Sequence, residues 1–131
     1  MYSTVMNKIL ALLTLLFLSV PLVAHEMVPT YPEWKRGVYP GVLTTTVEIF
    51  NKRRDVEYYE IGVFDRDWNP VYFVADYKVI QLKYLSSASI DIYIARENKD
   101  RVEYVCSRSK IRKGNESRTA VSSRICSRFK E

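Results

Sequence analysis

From residue 41 to residue 107 the chain repeats one pattern: a short run of alternating apolar and polar residues, then a turn. Gly41–Phe50 sets Leu43, Thr45, Val47 and Ile49 on one face. Val56–Phe64 does the same with Tyr59, Ile61 and Val63, against Glu60 on the other face. Val79–Leu85 alternates Ile80, Leu82 and Tyr84 with Gln81 and Lys83, and Ala88–Ala95 alternates Ile90, Ile92 and Ile94 with Ser89 and Asp91. Successive side chains of a strand point to opposite faces, so a period of two builds a half-buried sheet. A helix would scatter the same residues around its axis.

The punctuation agrees. Asn51–Asp55 is a charged turn, Asp65–Pro70 a strong turn signal, Ser86 and Ser87 a turn, and Arg96–Asp100 a polar loop. Val71–Val74, Val102–Ser107 and Thr119–Phe129 complete the set of strand-like runs. About seven to eight short strands with turns at this spacing predict an all-β fold, an immunoglobulin-like antiparallel β-sandwich, with a small closed barrel as the competing architecture. The sandwich is favoured because both ends read as sheet edges. His25–Tyr39 is irregular, with Pro29 and Pro32 allowing edge pairing at most. Thr119–Phe129 is weakly apolar, with Ser123 and Ser127 between Val121, Ile125 and Phe129.

The first residues read differently. Lys8 precedes an apolar run of about a dozen residues, Ile9–Val20, too short to span a bilayer comfortably, and Pro21-Leu22-Val23-Ala24 offers a small residue for cleavage. Residues 1–24 are expected to be a secretory signal peptide, and 25–131 a single exported domain with no stable membrane span after cleavage. An uncleaved N-terminal anchor is the alternative. The expected location is the periplasm or the cell exterior.

Two cysteines in an exported chain predict one disulfide, Cys106 to Cys126. Free thiols in a reducing compartment are the other reading. The faces conflict, however: Cys106 shares parity with the apolar Val102 and Tyr104, Cys126 with Arg124 and Arg128. Bridged residues on neighbouring strands must share a face. Either Cys106 points outward with its strand phased the other way, or a bulge shifts one strand.

The charge is uneven. From Arg101 onward nine Lys and Arg face only Glu103, Glu116 and Glu131, so this end is suited to an anionic partner. Function classes thin out quickly. The single histidine, His25, has no second histidine for a copper site and no placed partner for a triad, and reads as an exposed terminal residue. Asp65 with Asp67 and Glu57 with Glu60 read as solvated charge, and no Gly-rich phosphate loop is present. Asn115-Glu116-Ser117 fits a glycosylation acceptor. Few aromatics accompany the basic end, which argues against nucleic acid. No metal, cofactor or small-molecule substrate is expected, and the chain reads as non-enzymatic. A basic edge strand that receives a peptide is the sharper reading, because unpaired backbone groups bind an extended segment and Arg or Lys holds a carboxylate.

Several runs, in order, resemble the N-terminal immunoglobulin-like domain of the periplasmic pilus-assembly chaperones, the PapD-like group. Gly41–Asn51 is similar to that family's second strand ending in Asn, and Val79–Leu82 with Ile90–Tyr93 to its fourth and fifth. Arg101–Val105 through Lys110 and Ile111 is similar to its sixth strand and basic exit, and Thr119–Ile125 to its seventh. The resemblance implies a chaperone that binds an incomplete pilus or surface-fibre subunit by lending it the seventh strand. It implies that Arg36 and Arg124 anchor the subunit's terminal carboxylate, with Arg128 and Lys110 beside them as partner-binding residues. One branch of the family carries a disulfide between these last two strands, as Cys106 and Cys126 would. The likeness covers the family's first domain only, whereas its carboxylate pocket lies between two domains, and Ser123 and Ser127 replace hydrophobes of the donor strand. The alternative is a structural or adhesive module of a virion or cell-surface assembly.

Overall fold

The computed structural model describes residues 2–17, 24–110 and 122–130. The glycosylation triplet at 115–117 and the start of the last predicted strand lie outside these, as does the cleavage motif before Ala24. A helix, α1 (Tyr2–Phe17), takes up the start of the chain, and its described side chains are exposed and absent from the core. Among the described residues no helix is long and apolar enough to cross a membrane.

The remainder is a sandwich of two antiparallel sheets. In the first, β3 (Val42–Phe50) is central. It pairs along its whole length with β6 (Ser87–Ala95). Its other side takes two short pieces end to end, β1 (Glu26–Val28) against Glu48–Phe50 and β2 (Lys35–Arg36) against Leu43 and Thr44. The second sheet runs β5 (Val79–Gln81), β4 (Tyr58–Phe64), β7 (Tyr104–Lys110), β8 (Arg124–Arg128). The sheets close no barrel, as the edge character of both chain ends predicts.

The faces follow the period of two. Leu43, Val47 and Ile49 from β3, Tyr59, Ile61 and Val63 from β4, and Ile90, Ile92 and Ile94 from β6 are buried in one core. Two expectations need correction. Val71–Val74 is not a strand: only isolated bridges at Phe64–Pro70 and Val74–Tyr93 hold that stretch. Arg96–Arg101 coils into a 3-10 turn rather than an open loop.

β3 runs into Asn51, which is fully buried yet fully partnered. Its Nδ2 donates to the carbonyls of Val56 and Leu82, both at 2.8 Å. Its Oδ1 accepts from the Arg53 N–H at 2.8 Å and the Tyr59 hydroxyl at 2.6 Å. Burial pushes the Tyr59 phenol up to about 12, so it remains a donor. One amide thus ties the β3–β4 turn to Leu82, the residue just after β5.

Candidate functional site at the last strand

The cysteines sit directly opposite each other in the β7–β8 ladder and are bridged, with Cα atoms 4.0 Å apart. The parity conflict resolves through phase, without a bulge. Val105, Ser107 and Ser109 face the core, so Tyr104, Cys106, Arg108 and Lys110 take the outer face of the second sheet. Val102 precedes the strand and is buried separately. On β8, Ser127 faces inward and Arg124, Cys126 and Arg128 outward.

Register determines which backbone groups β8 leaves over. Ser109 N–H bonds the Ser123 carbonyl at 2.8 Å, and Phe129 N–H the Glu103 carbonyl at 3.0 Å. Those odd-numbered residues of β8 therefore face β7, and the even-numbered ones between them turn their N–H and C=O away. The Arg128 N–H finds the Thr30 carbonyl at 3.1 Å. Among the described residues no backbone partner meets the outward groups of Arg124 and Cys126.

The segment that could have covered this edge runs alongside it but pairs elsewhere. Residues 25–30 follow β8 in parallel, with contacts at the ends: His25 to Ser123, the Ser127 hydroxyl to the Pro29 carbonyl at 2.6 Å, and Arg128 to Thr30. Between these contacts, β1 gives its ladder to β3.

His25 is not an exposed terminus; it is 1 % exposed. Its Nε2 lies 2.7 Å from Ser107 Oγ and its Nδ1 3.2 Å from Ser123 Oγ, with the ring tilted against Tyr59. Arg53, paired with Asp55, reaches the same Ser123 hydroxyl at 3.4 Å. Burial, and secondarily the Arg53 charge, holds the imidazole below its usual value against the raising effect of the Ser107 backbone. Of the two serines that looked out of place in a donor strand, Ser123 is a partner of this polar cluster, and Ser127 faces inward to bond the Pro29 carbonyl.

The predicted cationic residues have different surroundings. Lys110 and Arg108 both bind Glu60, at 2.7 and 3.1 Å, and these contacts, Lys110 foremost, hold its carboxyl below the usual range. Arg128 pairs with Glu103 at 2.8 Å. Arg124 has no carboxylate partner among the described residues; its guanidinium lies 4.7 Å from the Trp68 ring centre. Trp68 in turn stacks on Tyr104 at 4.2 Å. Its backbone takes φ 65°, uncommon for a bulky residue, and the Asp65 side chain holds the turn by accepting from the N–H groups of Asp67 and Asn69. Beside the stack the Phe64 ring lies over Gly62, where a Cβ would come within 2.7 Å of it. A hollow of about 380 Å³ opens there between Gly62, Phe64, Cys106, Arg108 and Arg124.

Arg36 is exposed on β2. Trp34, two residues before it, stacks on Phe129 at 4.5 Å. Arg124 lies at the other end of β8, about 17 Å away along the strand at ~3.4 Å per residue. The two predicted carboxylate anchors thus belong to different sheets, Arg36 on β2 against β3 and Arg124 on β8 against β7. Sequence reasoning missed Trp68, because a turn tryptophan carries no periodic signal. It also missed the burial of His25.

No protein-family model matches the chain, and no curated protein matches it. Among solved structures it is similar to the E. coli chaperone DraB, at 14% identity and a TM-score of 0.53, over 81% of this chain and 53% of that one. It is also similar to a FixG-related protein from Vibrio parahaemolyticus, at 18% identity and a TM-score of 0.48, over 82% of this chain and 96% of that one. The chain spans about half the length of DraB. What the likeness to DraB shows is a shared fold, the β-sandwich of a chaperone.

Proposed function

We propose that this chain is an exported, PapD-like chaperone domain that takes an extended segment of a protein partner along the outer edge of β8. The observation that carries this reading is the pair of outward backbone groups at Arg124 and Cys126, which have no backbone partner among the described residues and lie between two points where residues 25–30 touch the strand. A partner strand there would gain main-chain bonds at Arg124 and Cys126 by taking the place of residues 25–30 beside β8, at the cost of the Arg128–Thr30 bond. Arg124, oriented by Trp68 and without an acid of its own among the described residues, is the natural anchor for a carboxylate. Arg108, Lys110 and Arg128, already ion-paired, define the charge of the face. In this reading the chain acts in the periplasm after cleavage at Ala24, its partner is a pilus or surface-fibre subunit, and it performs no catalysis.

The test is binding of a peptide copied from the terminal strand of such a subunit. Wild-type protein is expected to bind it, and Arg124→Glu to bind at least tenfold more weakly, by about 1.4 kcal/mol or more. Equal binding by both would remove Arg124 from the site.

A second reading, a structural or adhesive module, draws on the opposite edge. A largely apolar hollow of about 480 Å³ there is lined by Val38, Tyr39, Tyr72, Val74 and Tyr93, with Val38 93% exposed. This reading predicts stable self-association in light scattering without any peptide.

A further inference from the structure

Residues 25–30 lie on the side of β8 where a partner strand would add, and contacts at both ends keep them there. His25 Nδ1 lies 3.2 Å from Ser123 Oγ, the Ser127 hydroxyl donates to the Pro29 carbonyl at 2.6 Å, and the Arg128 N–H donates to the Thr30 carbonyl at 3.1 Å. Among the described residues no ladder joins this segment to β8; its paired part, Glu26–Val28, bonds β3 in the other sheet. A neighbour held by isolated bonds gives up fewer of them on leaving than a paired strand does.

The segment begins at the buried ring of His25, and four parts of the chain close around it. β7 brings the Ser107 hydroxyl, 2.7 Å from Nε2, together with the Ser107 carbonyl. The entry to β8 brings Ser123, and β4 brings the Tyr59 ring, 4.6 Å away between centres. The turn after β3 brings Arg53, which binds Asp55 at 2.8 and 3.0 Å and reaches the same Ser123 hydroxyl at 3.4 Å. On the segment itself, Glu26 is exposed and pairs with Lys52. The charges beside the ring are thus Arg53 and its partner Asp55, while β4, β7 and β8 present a neutral phenol and hydroxyls. A proton on the ring would set a second cation near Arg53 in a place with little solvent to offset it. Burial first, and the Arg53 charge after it, hold the imidazole below its usual value against the Ser107 backbone. Freed from β8, the ring would regain an ordinary value of about 6.5. Below that pH the proton binds the released segment more tightly than the latched one, and so shifts the balance toward release.

We propose that residues 25–30 are a strap that blocks the outer edge of β8, that His25 is its latch, and that protonating His25 releases the strap and opens the edge; this rests on the reading of β8 as the strand-adding edge. A partner's apparent affinity is its affinity for the open edge scaled by the fraction of molecules that are open, so acid tightens binding without any new contact.

Two readouts separate the strap from strand addition. In the free protein the strap is read at the Arg128 amide, bonded to Thr30, with Phe129 as reference, since its amide bonds the Glu103 carbonyl on the β7 side at 3.0 Å. Between pH 7.5 and 5.0 the exchange protection factor of Arg128 is expected to fall about threefold or more while that of Phe129 holds. In His25→Gln neither is expected to change. A peptide copied from a subunit's terminal strand, with its terminal carboxylate as its sole acid, is expected to bind the wild type about threefold or more tightly at pH 5.0 than at pH 7.5, and His25→Gln equally at both. Ser127→Ala, which removes the bond to Pro29 and leaves His25 in place, is expected to bind it more tightly than the wild type at pH 7.5. An Arg128 amide that keeps its protection at pH 5.0, that loses it together with Phe129, or that loses it alike in His25→Gln overturns the proposal. So does wild-type peptide binding that acid or Ser127→Ala leaves no tighter. A peptide that binds none of these proteins at either pH, with the Arg128 response intact, removes strand addition and keeps the acid-released strap.

Discussion

Two buried polar side chains hold more of this molecule than their number suggests. Asn51 satisfies four separate groups, two carbonyls, an amide and a phenol, in a fully buried place. Asn51→Ala orphans all four, so we expect about 3 kcal/mol or more of lost stability, measured by urea denaturation. A loss below 1 kcal/mol would mean that the turn relaxes around the gap. His25 makes stability depend on pH. Its folded-state pKa is depressed, so the unfolded chain takes up the proton first; its contribution is complete above about pH 6.5 and falls as pH drops below that value. One proton gives a slope of at most about 1.4 kcal/mol per pH unit. Because the chain has a single histidine, the loss between pH 7.5 and 5.5 is expected to shrink in His25→Gln. The same loss in both proteins would contradict the role given to this ring.

At the scale of the elements, β8 is a short strand whose inward face is partly serine, and the disulfide compensates for what its core contacts lack. The bridge closes a loop over a separation of 20 residues, for which the chain-entropy model gives about 3 kcal/mol. Cys106→Ala/Cys126→Ala is expected to melt on the order of 10 °C lower in calorimetry, and an unchanged melting temperature would remove the clamp from the account. The strands β3, β4 and β6 could be read from sequence because β-branched residues with a strict period of two leave one choice of face. The phase of β7 could not. Tyr104 looks like a core residue, but its apolar surface is covered from outside, by Trp68 arriving on a turn. The inward phase of Ser127 was implied by its parity with Ile125 and Phe129. His25 gave no local sign, since its partners Ser107 and Ser123 are brought to it only by the fold.

At the scale of the molecule, the two sides of β8 differ. One side is locked by a ladder and a disulfide; the other is approached by residues 25–30 without being paired along its middle. A partner strand would pair along that middle in place of residues 25–30, and the basic character of the chain, net +5, would favour an acidic or carboxylate-bearing one. Amide hydrogen exchange, followed residue by residue in NMR, tests this most directly. Arg124 and Cys126 are expected to exchange rapidly in the free protein, while Ile125 and Ser127, bonded to β7, exchange slowly; added subunit-strand peptide should protect Arg124 and Cys126 selectively. If those two amides are already protected in the free protein, or remain unprotected when the peptide is bound, the outer edge of β8 is not where the partner adds.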